Sequence, residues 1–246
     1  MPDLQILKKL YDESYFAKGA RTGIGYDHYA PPDAFFAYLF THLNRRVRSG
    51  VILEIGCATG EFLVKLKDAG YEVFGIEISE WATQQAKSKG IEVICGAFED
   101  VYQFVHPESF DAILMIDVLE HTRDPIFFVS IAKTLLKPGG LIMIHTPNYL
   151  GTPLRFRKEI ILTEGREHCF YFTPQAVKSV VKSAGLKRIQ IITRPPGPPY
   201  GSLVRKDISF FQKVGKLMSW LYKRYVLTQI NPFRWHSMLI LCRKER

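Results

Sequence analysis

The run VILEIGCATG at residues 51–60 constrains this chain more than any other stretch. Val51–Ile55 is short, apolar and rich in β-branched residues, the composition of a buried parallel strand. It carries an acidic residue, Glu54, and leads into a turn of small residues, Gly56-Cys57-Ala58-Thr59-Gly60, before an amphipathic helix from Glu61 to Ala69. Glycines at such a turn let the backbone bend sharply and lie close to a ligand. A dinucleotide site has G-x-G-x-x-G and aims a helix N-terminus at a pyrophosphate. Here the spacing is G-x-x-x-G, with a carboxylate two residues before the first glycine. That carboxylate repels a pyrophosphate and attracts an ammonium group.

A second apolar run, Tyr71 to Glu77, ends on Glu77, 21 residues beyond Gly56. An acidic residue about 20 positions past the glycine turn accepts hydrogen bonds from ribose hydroxyls in this architecture. Ribose plus ammonium, without phosphate, describes S-adenosylmethionine. Glu54, Gly56, Cys57, Gly60, Glu77 and its neighbour Ile78 are therefore the candidate cofactor-binding residues. Asp117, at the carboxyl edge of the fourth predicted strand, joins them because open α/β sheets bind ligands at that edge.

Five stretches, LEIGCATGEF (53–62), FGIEIS (74–79), FDAILMIDVLEHTRDP (110–125), LLKPGGLIMIHTPN (135–148) and REHCFYFTPQAV (166–177), carry a resemblance. The chain resembles class I S-adenosylmethionine-dependent methyltransferases, in particular the group containing the ubiquinone-biosynthesis O-methyltransferases. The resemblance implies an α/β, Rossmann-like, doubly wound sheet of seven strands in the order 3-2-1-4-5-7-6, with the last strand antiparallel. Two positions depart from the family pattern. Ala58 stands where relatives have a middle glycine, and Ala97 where many have an acidic residue for the adenine amino group, which leaves Phe98 as the expected adenine wall.

Alternating strand and helix patterns support that reading from the residues themselves. Strands are expected at 51–55, 71–77, 91–95, 110–116, 139–145, 187–194 and 237–242, and helices at 60–69, 80–89, 125–136 and 173–184. Lys137-Pro138-Gly139-Gly140 is expected to stop a helix and turn into the fifth strand, and Thr173-Pro174 to start one. A single domain over residues 1–246 is expected. It comprises a tyrosine-rich helical leader (1–45), a core (46–194 and 236–246), an excursion after the fifth strand, and a basic amphipathic insert (195–235).

The 246 residues are 47% hydrophobic and 23% charged, as in an ordinary globular protein. Four cysteines without CxxC spacing read as free thiols in a reducing compartment. The N-terminus has neither a signal-peptide nor a transit-peptide pattern, and no run approaches a membrane span. A cytoplasmic enzyme is the expectation. Ten basic and two acidic residues lie from Leu203 onward, so the tail carries +8 of the net +9. That asymmetry suggests peripheral contact of residues 203–235 with an anionic membrane or with RNA.

The chemistry-bearing constellation is Asp117-x-x-Glu120-His121 with His168 downstream. The first three are expected to begin a helix at the cleft mouth, and His168, on the excursion after the fifth strand, to close a fourth position, together offering oxygen and nitrogen ligands for a divalent cation such as Mg²⁺, Mn²⁺ or Zn²⁺. Some relatives have a metal site of this form. Without a metal, His168 or His145 is the natural general base, because imidazole titrates near working pH. The function expected is O-methylation of a hydroxyl on a small molecule, sugar or lipid-linked precursor. Two alternatives stay open: a metal-dependent RNA 2′-O-methyltransferase acting on a 3′-terminal ribose, supported by Tyr29-Ala30-Pro31-Pro32 and Thr146–Tyr149, and a non-catalytic cofactor-binding scaffold.

Overall fold

A computed structural model describes residues 11, 13–17, 33–151, 168–194 and 237–245. Seven strands form one sheet: β1 (Val51–Ile55), β2 (Glu72–Glu77), β3 (Glu92–Cys95), β4 (Phe110–Ile116), β5 (Leu136–Pro147), β6 (Lys187–Arg194) and β7 (Ser237–Arg243). Their order is 3-2-1-4-5-7-6. β1 to β5 pair in parallel, and β7 runs antiparallel to both β5 and β6. The expected topology is the observed one.

Period-two alternation divides the core. Leu53, Ile113, Ile142 and Ile240 point to one face, while Ile52, Leu114, Met143 and Leu239 point to the other. The second face is covered by α2 (Asp33–Asn44), α3 (Glu61–Asp68) and α4 (Glu80–Ser88) through Leu39, Leu63, Leu66 and Ala86. The first is covered by α5 (Phe98–Val101), α6 (Pro125–Leu135) and α7 (Pro174–Ser183) through Phe98, Phe128, Val129 and Val181. Both faces are buried, which is why the central strands read as continuous apolar runs rather than strict alternation.

Caps set the helix boundaries. The Ser79 hydroxyl accepts from the Ala82 amide at 3.2 Å, and the Asp124 carboxylate accepts from Ile126 and Phe127 ahead of Pro125. Thr173 accepts from Ala176 at 3.1 Å, with Pro174 in the first turn as expected.

Two local expectations are corrected. Lys137-Pro138-Gly139-Gly140 lies inside β5, as a bulge where pairing jumps from Phe110↔Leu136 to Ala112↔Leu141. Gly139 takes φ 79° there, and Lys137 reaches across to Asp111 at 2.7 Å. Three extra residues on β5 absorb the glycines and the proline without ending the ladder. Asp117 does not begin an α-helix either. It sits at φ 52°, Leu119–His121 makes a single 3₁₀ turn, Thr122 is extended, and the helix starts at Pro125.

The leader is described at α1 (Glu13–Ala17) and α2. Residues 152–167 of the excursion expected at 146–172, and the basic insert at 195–235 with its lysines and aromatics, lie outside the described residues, as does Tyr29–Pro32. Among the described residues no helix is long and apolar enough to cross a membrane.

Packing around the first turn yields a test. A Cβ at Gly75 would lie 2.5 Å from Cys57 Sγ and 3.2 Å from Val93 Cγ2. Gly75→Ala is expected to lower stability by about 1–3 kcal/mol through overpacking, read as a lower urea midpoint. Cys57→Ala in the same chain should recover most of the loss, because the clash is chiefly with the thiol.

Candidate active site

The carboxyl ends of β1, β2 and β4 open onto a cleft of about 430 Å³, within the usual size range of ligand sites. The loop between β1 and α3 forms its floor. Gly56 N–H and Cys57 N–H donate to the Ile76 carbonyl at 2.8 and 3.3 Å, and Gly60 N–H donates to the Cys57 carbonyl at 2.9 Å. Gly56 has φ 72°, and a Cβ there would lie 2.5 Å from Val118 Cγ2, so glycine is required on both counts. Gly60 sits at φ 80° where α3 begins and shapes the turn without lining the cleft.

Glu77 ends β2 and is buried. Its Oε2 accepts from the Ala58 amide at 2.8 Å and its Oε1 from the Ser79 amide at 2.9 Å. Burial pushes this carboxyl up, and the Ser79, Ala58 and Ile78 amides pull it back. Glu54 is more exacting. It is 4% exposed, and its Oε2 is buried without a hydrogen-bond partner. Burial first, then the charges of Glu61 and Glu77, hold it well above the usual carboxylate range. Glu61 is itself answered by Lys89, which lies 2.7 Å away and also donates to the Thr59 carbonyl. A buried carboxylate oxygen facing a cleft without a partner fits a cationic ligand group.

The rest of the wall is apolar. Ile78 and Phe98 line the cleft as expected. Phe98 packs edge-on to Phe128 with centroids 4.9 Å apart. Tyr11, Tyr15 and Phe16 of the leader close the cleft from above, which the tyrosine content suggested without fixing positions. Phe35 and Arg123 also line it. Neither stood out in the sequence: Phe35 lies in the leader, and Arg123 lies within the 110–125 stretch, where its neighbours Glu120 and His121 drew the attention.

Asp117 lines the cleft, and its Oδ1 lies 2.8 Å from His145 Nδ1. The Asp117 amide in turn donates to the His145 carbonyl at 2.9 Å. His145 is 7% exposed, stands outside the cleft lining and meets the edge of Phe35 at 4.9 Å. It is thus placed to orient Asp117.

Of the four residues singled out as metal ligands, the structure gathers three. Ligand atoms of Glu120, His121 and His168 lie within 4.8 Å of one another. The loop carrying His168 is held by Cys169 and Phe170 amides donating to the Glu120 carbonyl at 2.8 and 3.0 Å. Thr146 donates to Glu120 Oε2 at 2.8 Å. Asp117 stands apart from this group, engaged with His145. One carboxylate and two imidazoles are a donor set suited to a divalent transition cation. His121 alone of the three lines the cleft.

Ala58 holds φ 49° and its methyl is buried with Tyr15, Phe16 and Ala82. A left-handed non-glycine residue costs about 1–3 kcal/mol. Ala58→Gly should therefore leave thermal stability within about 1 kcal/mol of the parent, since relieved strain offsets greater chain freedom. Ala58→Val should cost about 2 kcal/mol or more, since a β-branched residue tolerates this φ poorly. Both are read by differential scanning calorimetry.

Comparison with known proteins agrees with this architecture. The chain is 32% identical over 103 residues to the ubiquinone biosynthesis O-methyltransferase of Thiobacillus denitrificans, covering 39% of this chain and 44% of that protein. It is 27% identical over 154 residues to the protein of the same name from Dinoroseobacter shibae, covering 56% and 60%. The chain thus spans about half the length of these curated relatives. Among solved structures, phosphoethanolamine N-methyltransferase 2 of Haemonchus contortus, in complex with S-adenosyl-L-methionine, superposes with TM-score 0.66 at 18% identity. That superposition covers 100% of this chain and 61% of that one, a likeness of fold. The methyltransferase domain family matches residues 26–191, more than half of the sequence, and the chain belongs to that family.

Proposed function

We propose that this protein transfers a methyl group from S-adenosylmethionine to a hydroxyl of a small-molecule acceptor. The observation that carries the reading is the pair of buried carboxylates at the cleft floor, above all Glu54 with its unpartnered oxygen. The turn between them bears no pyrophosphate motif, so a ligand with a positive ammonium and a ribose suits it better than a dinucleotide. The donor supplies an electrophilic methyl on a sulfonium, and little covalent help is needed from the protein. Glu54 meets the ammonium, Glu77 the ribose hydroxyls, and Phe98 and Ile78 flank the base. The apolar walls and the leader aromatics exclude water, so alignment and desolvation contribute most of the acceleration.

The acceptor hydroxyl must lose its proton. The Glu120–His121–His168 group is the proposed place for that step: a divalent cation held by the three residues would lower the pKa of a coordinated hydroxyl, and without a cation His168, in preference to His145, would be the general base. Relatives named ubiquinone biosynthesis O-methyltransferase support a hydroxyl acceptor. A terminal ribose of RNA offers the same hydroxyl chemistry, and an acceptor assay separates the two. A protein that only binds the donor would turn over neither.

Protonation of Glu54 gives the reading a sign. Its carboxyl is held high in the ligand-free protein, chiefly by burial. The group's cost to stability is absent below the ordinary carboxylate pKa and grows as pH rises through the raised one. Donor binding needs the ionised form, so S-adenosylmethionine affinity should strengthen as pH rises through that same window. Glu54→Gln should weaken binding about 10- to 100-fold, the equivalent of one charge-assisted hydrogen bond, and should flatten most of the pH dependence, leaving the smaller slope due to Glu77. Calorimetric titration across pH measures both. An affinity in Glu54→Gln equal to the parent's would remove Glu54 from the donor site.

Labelled methyl transfer identifies the acceptor. Phenolic and sugar hydroxyls, and in parallel short RNA with a free 3′ diol, are incubated with donor and Mn²⁺. Incorporation into the small hydroxyls, reduced at least tenfold by EDTA or by His168→Gln, is the expected result. Label on RNA alone would reassign the acceptor, and label on neither class would remove the hydroxyl reading.

A further inference from the structure

The leader and the His/Glu group touch at one point. Tyr15 and Phe16 on α1 are buried against Ala58 of the cofactor turn and Ala82 of α4. Phe16 stacks on Trp81 with centroids 5.6 Å apart and planes at 19°. This short strap reaches beyond the turn through Tyr11, whose ring meets Tyr15 edge-on at 4.7 Å. The Tyr11 hydroxyl lies 3.3 Å from His121 Nδ1. On its other side the His121 ring stands 4.7 Å from that of His168, at 71°. One imidazole therefore joins the roof of the donor site to the group at the cleft mouth.

We propose that Tyr11 is a positioning residue that couples the leader strap to the Glu120–His121–His168 group, so that a divalent cation on that group and S-adenosylmethionine beneath the strap each tighten the other. The inference rests on the donor and cation readings above. A histidine bound to a cation through Nε2 carries its proton on Nδ1 and donates it outward, and the acceptor of that bond fixes the ring. Tyr11 oxygen is in position to be that acceptor. Cation binding then strengthens the Tyr11–His121 bond and holds the strap down over Ala58. Donor binding orders the same strap from beneath, which presents Tyr11 to His121. Reciprocity follows from linkage: the factor by which the cation improves donor affinity equals the factor by which the donor improves cation affinity.

The test uses the full chain and isothermal titration, with S-adenosylmethionine titrated with and without Mn²⁺, and Mn²⁺ titrated with and without S-adenosylmethionine. Mn²⁺ should tighten donor binding about fivefold, the scale of one neutral hydrogen bond, and the reverse experiment should return the same factor. In Tyr11→Phe the factor should fall to about one. It is a ratio within one variant, so a general loss of affinity cancels. Glu120→Gln, as a second variant, should lose Mn²⁺ binding and show donor affinity indifferent to Mn²⁺.

Mn²⁺ bound in the parent without any change in donor affinity would overturn the coupling while leaving the cation and donor readings standing. The full factor retained in Tyr11→Phe would overturn the role of Tyr11. Mn²⁺ failing to bind the parent at all would overturn both the cation reading and the coupling, with donor binding still measurable on its own.

Discussion

A carboxylate buried in a protein interior is costly unless hydrogen bonds or a counter-charge answer it, and adjacent strands β1 and β2 bring two such groups to one cleft. Glu77 is answered within the fold, by the amides of Ala58 and Ser79. Those bonds stitch the first turn to the second, so the shape of the glycine loop depends on the ionisable group it serves. Glu54 has one oxygen unanswered. The apolar packing around Ile55, Ile76 and Phe98 is what sustains that unanswered group.

Much of this was legible in the sequence because the strands are buried on both faces and announce themselves as apolar runs ending in glycine or acid. Glu54, Gly56, Cys57, Glu77, Ile78, Phe98 and Asp117 all line one cleft, since each lies at or just beyond a strand end that the pattern located. The less legible features depended on contacts between distant segments. Lys137–Gly140 has the composition of a turn, and only its pairing with β4 and the Lys137–Asp111 contact make it a bulge. The spacing of Asp117, Glu120 and His121 suggests one helical face, yet the positive φ of Asp117 swings its carboxylate to His145 and leaves the other two facing His168. No local rule foretells that rotation. Likewise Tyr11 is one of several leader tyrosines until the fold sets it beside His121.

The two ends of the β4 connection therefore have different surroundings. Asp117 lines the cleft and is met by the buried imidazole of His145. Glu120 and His121 face His168, and the Glu120 carbonyl accepts from the amides of residues 169 and 170. Two residues, Val118 and Leu119, separate these surroundings.

The last hairpin extends this separation. Arg194 at the end of β6 and Pro147 at the end of β5 are both in register with Ser237 at the start of β7. Residues 195–236 thus leave and rejoin the sheet at neighbouring points, on the edge where the cleft opens. The entropy of closing a loop rises only slowly with its length, about 0.6 kcal/mol per doubling. Because the sheet already holds the two ends together, this connection can lengthen, shorten or be replaced in descent at little cost to folding.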